Sequence, residues 1–250
     1  RALAVDEQEL WIGTLNNGVI RYNKLTKQIE QYDTQNGLPH NQVFDIKMDE
    51  RDVWVGTVSG VARYNRFTGQ WSVYNTANGL PANDIVAVAV TPKTVWIGTS
   101  ENGLALYDRD LNYWRNFGTS DGLNARASVS IAGFNVRENQ LFFTWYNKRS
   151  KVNGYAVIGL DDLKSQVENV LNGDFVPLEN IYIVTSEAEL WIATNYGVYL
   201  KQQSWDQVDF PADRLADATV ICITISKGKA WVGTSSGIAK IDKSALFVQK

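Results

Sequence analysis

Four residues, Trp11-Ile12-Gly13-Thr14, come back along the chain and restrict its fold more than anything else in it. They return as Trp54-Val55-Gly56-Thr57, Trp96-Ile97-Gly98-Thr99, Trp191-Ile192-Ala193-Thr194 and Trp231-Val232-Gly233-Thr234, with a worn copy at Leu141-Phe142-Phe143-Thr144. The threonines fall at positions 14, 57, 99, 144, 194 and 234, so the spacing stays between 40 and 50 residues. Such a period, filled by short alternating apolar runs between Gly, Asn and Asp, predicts blades of four antiparallel strands set around an axis. The expected fold is an all-β, six-bladed β-propeller in one domain, with blades at about 2–33, 43–75, 85–117, 128–178, 180–210 and 220–250. The blades are in phase with the chain: an inner strand at residues 2–5 and an outer strand at 245–248 both lie inside it, so no strand exchange at closure is expected.

The first repeat gives the plan. Residues 2–5 form the inner strand, and residues 10–14 pair back on it. Asn16-Asn17-Gly18 marks a tight hairpin, residues 19–22 a third strand and residues 29–32 the outer one. Gly60-Val61-Ala62-Arg63-Tyr64 and Gly103-Leu104-Ala105-Leu106-Tyr107 repeat Gly18-Val19-Ile20-Arg21-Tyr22. Chain crossings between blades read Asn36-Gly37-Leu38-Pro39, Asn78-Gly79-Leu80-Pro81 and Asp121-Gly122-Leu123, where Gly allows the sharp bend and Pro stiffens it. The fourth repeat departs. Trp145-Tyr146-Asn147-Lys148-Arg149-Ser150-Lys151-Val152-Asn153 replaces its short hairpin, and residues 160–171 read as a short helical insertion opened by Asp161 and Asp162 and closed at Asn172-Gly173. Val176 is expected in a short outer strand after it.

A Trp at one strand position in five of six blades fills the wedge between neighbouring blades, and the Gly beside it leaves room for the adjacent sheet. The combined period resembles the two-component regulator propeller repeat. The match is carried by Leu10-Trp11-Ile12-Gly13-Thr14, Gly18-Val19-Ile20-Arg21-Tyr22, Thr68-Gly69-Gln70-Trp71 and Asn78-Gly79-Leu80-Pro81. It is close in blades one to three, partial in five and six, and poor in four. The resemblance implies a sensor domain on the periplasmic or extracellular side of a bacterial envelope, with ligand binding in signal transduction as its role; a cytoplasmic location stays open. The family repeat names no catalytic residue.

Catalytic and metal constellations are absent from the sequence pattern. His40 is the single histidine and cannot build a histidine zinc site; it reads as a loop side chain. There is no Gly-x-Ser-x-Gly, phosphate-cradling glycine loop or sialidase-type aspartate box, and one Thr-Gly-Gln-Trp does not make a quinone site. The expectation is no enzyme, no cofactor and no metal. Cys222 stands alone in an apolar run and reads as a small core residue. With 24 basic against 27 acidic residues, nothing calls for nucleic acid as partner, and no run approaches the roughly 18 apolar residues of a membrane span. The full protein could still be membrane-anchored, since the opening Arg1-Ala2-Leu3 reads as a fragment or processed form.

The hairpins between second and third strands and the crossings between blades are expected on one face. Candidate ligand contacts there are Trp145, Tyr146, Lys148, Arg149, Arg126, Asn124, Glu101, Tyr196 and His40, aromatic and charged groups of the kind that recognise a glycan or peptide. The same residues also suit ordinary turns and a self-packed hairpin. The leading expectation is a non-catalytic sensor propeller for a small glycan or peptide. The alternative is a protein–protein scaffold, and the remote one a propeller hydrolase or lyase.

Overall fold

Alternating apolar residues give strands, and the computed structural model pairs them in chain order. It describes residues 2–117, 129–147, 152–168, 182–186, 189–194, 197–201, 205–208, 220–226 and 229–242. The first sheet holds β1 (Ala2–Val5), β2 (Glu9–Gly13), β3 (Val19–Asn23) and β4 (Ile29–Tyr32). The second holds β5 (Val43–Met48), β6 (Asp52–Thr57), β7 (Gly60–Asn65) and β8 (Trp71–Tyr74), and the third β9 (Ile85–Val90), β10 (Thr94–Thr99), β11 (Leu104–Asp108) and β12 (Tyr113–Phe117). The fourth holds β13 (Val129–Arg137), β14 (Gln140–Asn147), β15 (Val152–Gly159) and β16 (Ser165–Glu168). The fifth holds β17 (Tyr182–Ser186), β18 (Glu189–Thr194), β19 (Gly197–Lys201) and β20 (Trp205–Val208), and the sixth β21 (Val220–Ser226), β22 (Lys229–Thr234) and β23 (Gly237–Asp242). These are antiparallel blades of a propeller, in phase with the chain. Where six four-stranded blades were expected, the described residues hold five, and the sixth sheet has three strands; its expected outer strand at 245–248 lies outside the described residues.

The chain divides into two compact units. The first is residues 1–131 with 147–150 and 164–167, and the second is the remainder to residue 250. In the first unit, β5 packs against β1 and β9 against β5, so the inner strands of successive blades stand side by side. Trp11 and Trp54 are fully buried between blades: Trp11 meets Tyr64 at 5.1 Å and Trp71 edge-on at 6.3 Å. Trp54 meets Tyr107 at 5.4 Å and Trp114 at 6.4 Å. A Cβ on Gly13 would lie 2.5 Å from Val43, so the glycine is what lets the second blade close onto the first. In the second unit, Trp191 is likewise buried, in a cluster with Val220, Val232 and Ile241.

Over residues 160–168, the described part of the helical insertion expected at 160–171, there is no helix. Residues 160–162 form a turn and Leu163 takes a left-handed φ of 54°, its N–H bonding back to the Gly159 carbonyl at 3.0 Å, which ends any helical path and sends residues 165–168 out as β16. Residues 169–173 and Val176 lie outside the described residues. Among the described residues the helix that does occur is a 3-10 turn, Thr76–Asn78, in the crossing before β9. Cys222, expected in the core, is exposed, while Val220 and Ile223 on the same strand are buried.

Candidate functional site

The repeated threonine builds the loops of the candidate face. Thr57 Oγ1 donates to the Gly60 carbonyl at 2.8 Å and accepts from the Ser59 N–H at 3.2 Å, clamping the hairpin. Thr99 does the same with Gly103 and Asn102, and Thr14 with Gly18 and Asn17. The first hairpin is tied to the crossing after its blade and the third to the crossing before it. Gly18 N–H donates to the Asn41 carbonyl at 2.9 Å, and Asn102 Nδ2 to the Pro81 carbonyl at 3.1 Å. Ser100 Oγ bonds Asp84 Oδ2 at 2.6 Å. Hairpins and crossings of the first unit therefore share one face, as expected.

Of the nine candidate residues, the structure describes four. Glu101 is exposed on the β10–β11 hairpin. His40 is half-buried in its crossing, where Nδ1 accepts the Gln42 N–H at 2.9 Å, so its imidazole serves the loop itself. Trp145 and Tyr146 are not on a loop. β14 continues through Asn147, and Trp145 is buried at 5 % exposure, following Leu141 and Phe143 in the same inward alternation. Its indole N–H and the Tyr146 hydroxyl are buried without a hydrogen-bond partner. Trp145 as an exposed contact is thus corrected to a core position; Tyr146 is half-buried. Lys148, Arg149, Arg126, Asn124 and Tyr196 lie outside the described residues.

Charged residues that sequence reading passed over prove well placed. Asp45 stands on β5 where its register equivalents are Ala2 and Ala87. Its Oδ2 crosses to the Val88 N–H at 2.9 Å and its Oδ1 meets Lys47 Nζ at 2.8 Å, capping a donor on the inner edge of the next blade. A second group joins blades at their opposite end. Glu9 accepts from Trp11 Nε1 at 2.9 Å and from Arg21, while Arg66 of the second blade reaches Asp6 at 2.7 Å and Glu9 at 3.3 Å. One blade on, Arg63 bonds Asp52 at 2.9 Å, and Arg109 of the third blade reaches Asp49 at 2.7 Å and Asp52 at 3.6 Å. The signal was an acid two residues before the Trp in both blades.

These groups set the local electrostatics. Burial opposes the charge on Asp6, but N–H bonds from Glu9 and Gln8 and the Arg66 guanidinium hold its carboxyl below the usual range. Burial likewise disfavours the Arg21 and Arg63 cations, yet hydrogen bonds to Glu9 and Asp52 raise both. Burial and Tyr74 push the Tyr107 phenol up to about 12. Among the described residues, no group of three or more His, Cys, Asp or Glu is placed to hold a metal, and no helix is long and apolar enough to cross a membrane.

No family model matches the chain, and no curated protein matches it. Solved structures do. The extracellular domain of BT3049 from B. thetaiotaomicron, assigned to a hybrid two-component system, superposes with a TM-score of 0.73 at 17% identity, over 98% of this chain and 33% of that one. It shares this fold. The extracellular domain of BT4673 from the same organism, assigned to a one-component system, gives 0.72 at 21% identity over 97% of this chain and 34% of its own. PorZ, an essential surface component of the type-IX secretion system of Porphyromonas gingivalis, gives 0.71 at 14% identity over 96% and 38%. The chain spans about a third of the length of these neighbours. Two of the three are extracellular domains of one- or two-component systems, and all three share the fold of this chain.

Proposed function

We propose that this chain is a non-catalytic, ligand-recognising propeller of a bacterial two-component sensor, working on the periplasmic or extracellular side of the envelope. The observation that carries the reading is the superposition of 98% of the chain on a sensor's extracellular domain. The face of hairpins and crossings is the binding surface, with Asn16, Asn17, Glu101 and Asn102 exposed or partly exposed on it. In the sequence, Lys148, Arg149, Arg126, Asn124 and Tyr196 fall in the corresponding stretches of the other repeats. The ligand is a small glycan or a peptide, whose hydroxyls or amides match this amide and carboxylate lining. Trp145 and Tyr146 support the long β14–β15 hairpin from within, and His40 holds its crossing.

A thermal-shift screen of the purified chain against glycans and peptides tests the reading. A ligand at a hundredfold its dissociation constant adds about 2.7 kcal/mol, a clear rise in melting temperature. The rise should vanish in Glu101→Ala or Arg149→Ala while the unliganded melt stays in place. A flat screen with a cooperative melt would favour the scaffold reading. That second reading has one observation of its own: Leu25, Phe67 and Leu111 lie exposed in equivalent turns at the other end of three successive blades.

A further inference from the structure

Asparagine followed by glycine is a pair at which a polypeptide can modify itself, because the unhindered glycine nitrogen can attack the neighbouring carboxamide. The sequence holds six such pairs. Asn153-Gly154 falls within β15, and Asn172-Gly173 lies outside the described residues. The other four are in hairpins and crossings of the first unit, at Asn17, Asn36, Asn78 and Asn102. All four asparagines are exposed, so access to water does not separate them. The glycine N–H does. Gly18 donates to the Asn41 carbonyl at 2.9 Å, Gly103 to the Val129 carbonyl at 3.0 Å and Gly79 to the Thr76 carbonyl at 3.2 Å. The Gly37 N–H meets no acceptor among the described residues.

Asn36 and Asn78 make the closest comparison, since they hold the same place in two crossings of one design. Leu38 N–H bonds the Asp33 carbonyl, and Leu80 N–H the Asn75 carbonyl. Asp33 N–H donates to Asn36 Oδ1 at 2.6 Å, and Asn75 N–H to Asn78 Oδ1 at 3.0 Å. Such a donor polarises the carboxamide and stabilises the oxyanion that forms when a nitrogen attacks Cγ. Both side chains are primed in this way, and the glycine nitrogen makes the difference. We infer that Asn36 is a site of spontaneous covalent modification, converting to aspartate and isoaspartate ahead of the other three. The Gly37 nitrogen gives its proton to water and bonds to Asn36 Cγ. The Cγ–Nδ2 bond breaks, and Nδ2 takes up a proton and leaves as ammonia. Water then opens the cyclic imide at either carbonyl. Nothing is oxidised or reduced, and water is the sole co-reactant. Either product loses the Asn36 amide that donates to the Gln31 carbonyl at 3.0 Å and gains a carboxylate. Isoaspartate also lengthens the backbone by a methylene beside Gly37, where a Cβ would already lie 2.4 Å from the Trp71 ring that meets Trp11 edge-on. The modification therefore adds a negative charge to the candidate face and strains the interface between the first two blades. The inference is independent of the ligand reading.

The test incubates the folded chain in mildly alkaline buffer, with a parallel sample in concentrated urea. Both are followed over time by peptide mapping and mass spectrometry that separates asparagine, aspartate and isoaspartate at each position. A nitrogen that must first leave an acceptor is slowed by up to about tenfold, for a hydrogen bond of ordinary strength. In the folded chain Asn36 should therefore convert several-fold faster than Asn17, Asn78 and Asn102. In urea the four rates should draw together, because the bonds that hold Gly18, Gly79 and Gly103 are gone. Equal or faster conversion at any of the other three in the folded chain overturns the inference. So does an Asn36 that stays intact in the folded chain, whatever its rate in urea, since the crossing would then protect it. A lead of Asn36 that persists undiminished in urea also overturns it, because the lead would belong to the local sequence and not to the Gly37 nitrogen in the fold.

Discussion

Thr57 explains why the repeat ends in threonine. Its hydroxyl holds the hairpin at both ends, donating to Gly60 and accepting from Ser59, while buried itself. Thr57→Val keeps the shape and removes both bonds, leaving a buried carbonyl short of a donor; the expected loss is about 1–3 kcal/mol, read by urea denaturation. Gly13→Ala should cost about 1–3 kcal/mol in the same measurement, because the new methyl overlaps Val43. Tyr107 gives a pH handle. Its raised pKa means that the fold favours the neutral phenol. The stability it lends is whole below a pH of about 10 and is lost as pH rises towards about 12. Tyrosinate absorbance and tryptophan emission followed together through that window should change in step. Residues of this kind were legible, since each recurs at one place in the period. Trp145 was misread for the opposite reason: it follows the worn repeat, and nothing but the inward alternation of Leu141 and Phe143 showed that the strand continued.

Between blades the units of stability are the acid–arginine latches. Arg109 and Asp52 have side chains only 4% and 1% exposed, so removing one partner strands the other charge out of water. Arg109→Ala should cost about 3–5 kcal/mol, and replacing Arg109, Asp49 and Asp52 together by apolar residues of similar volume should recover most of it. Equilibrium denaturation of the single and triple variants checks this. The latch between the first two blades is open to acid. Asp6 lends its stability above the usual carboxylate pKa, and that part is lost as pH falls through its lowered value, so Asp6→Asn should flatten the acid limb of the stability curve. The third blade has Thr94 in place of the acid, and the fourth has Leu160 in place of the arginine. Element boundaries in blades one to three could be read from the sequence because Gly, Asn and Pro punctuate every turn. Blade four could not, because Leu160, Leu163 and Val167 fall at helical spacing, and only the left-handed backbone at Leu163 decides for a strand.

At the scale of the molecule, the fold was carried by the period and the ligand face was not. Asn, Asp and Gly at a hairpin satisfy turn geometry whether or not anything binds there, so composition could not separate the two uses. The thermal-shift screen separates them directly, since turn chemistry raises no melting temperature on addition of a glycan. The latches also bear on how such a chain can change over generations. Repeats of one sequence recombine readily, and unequal exchange adds or drops whole blades. Here an exchange that set the second blade beside the fourth would bring Asp52 up against Leu160 and bury a carboxylate with no cation to meet it. Glu9 and Asp52 with their arginines thus act as a key between the first three repeats, one that penalises the shuffled or shortened copies that repetition itself invites.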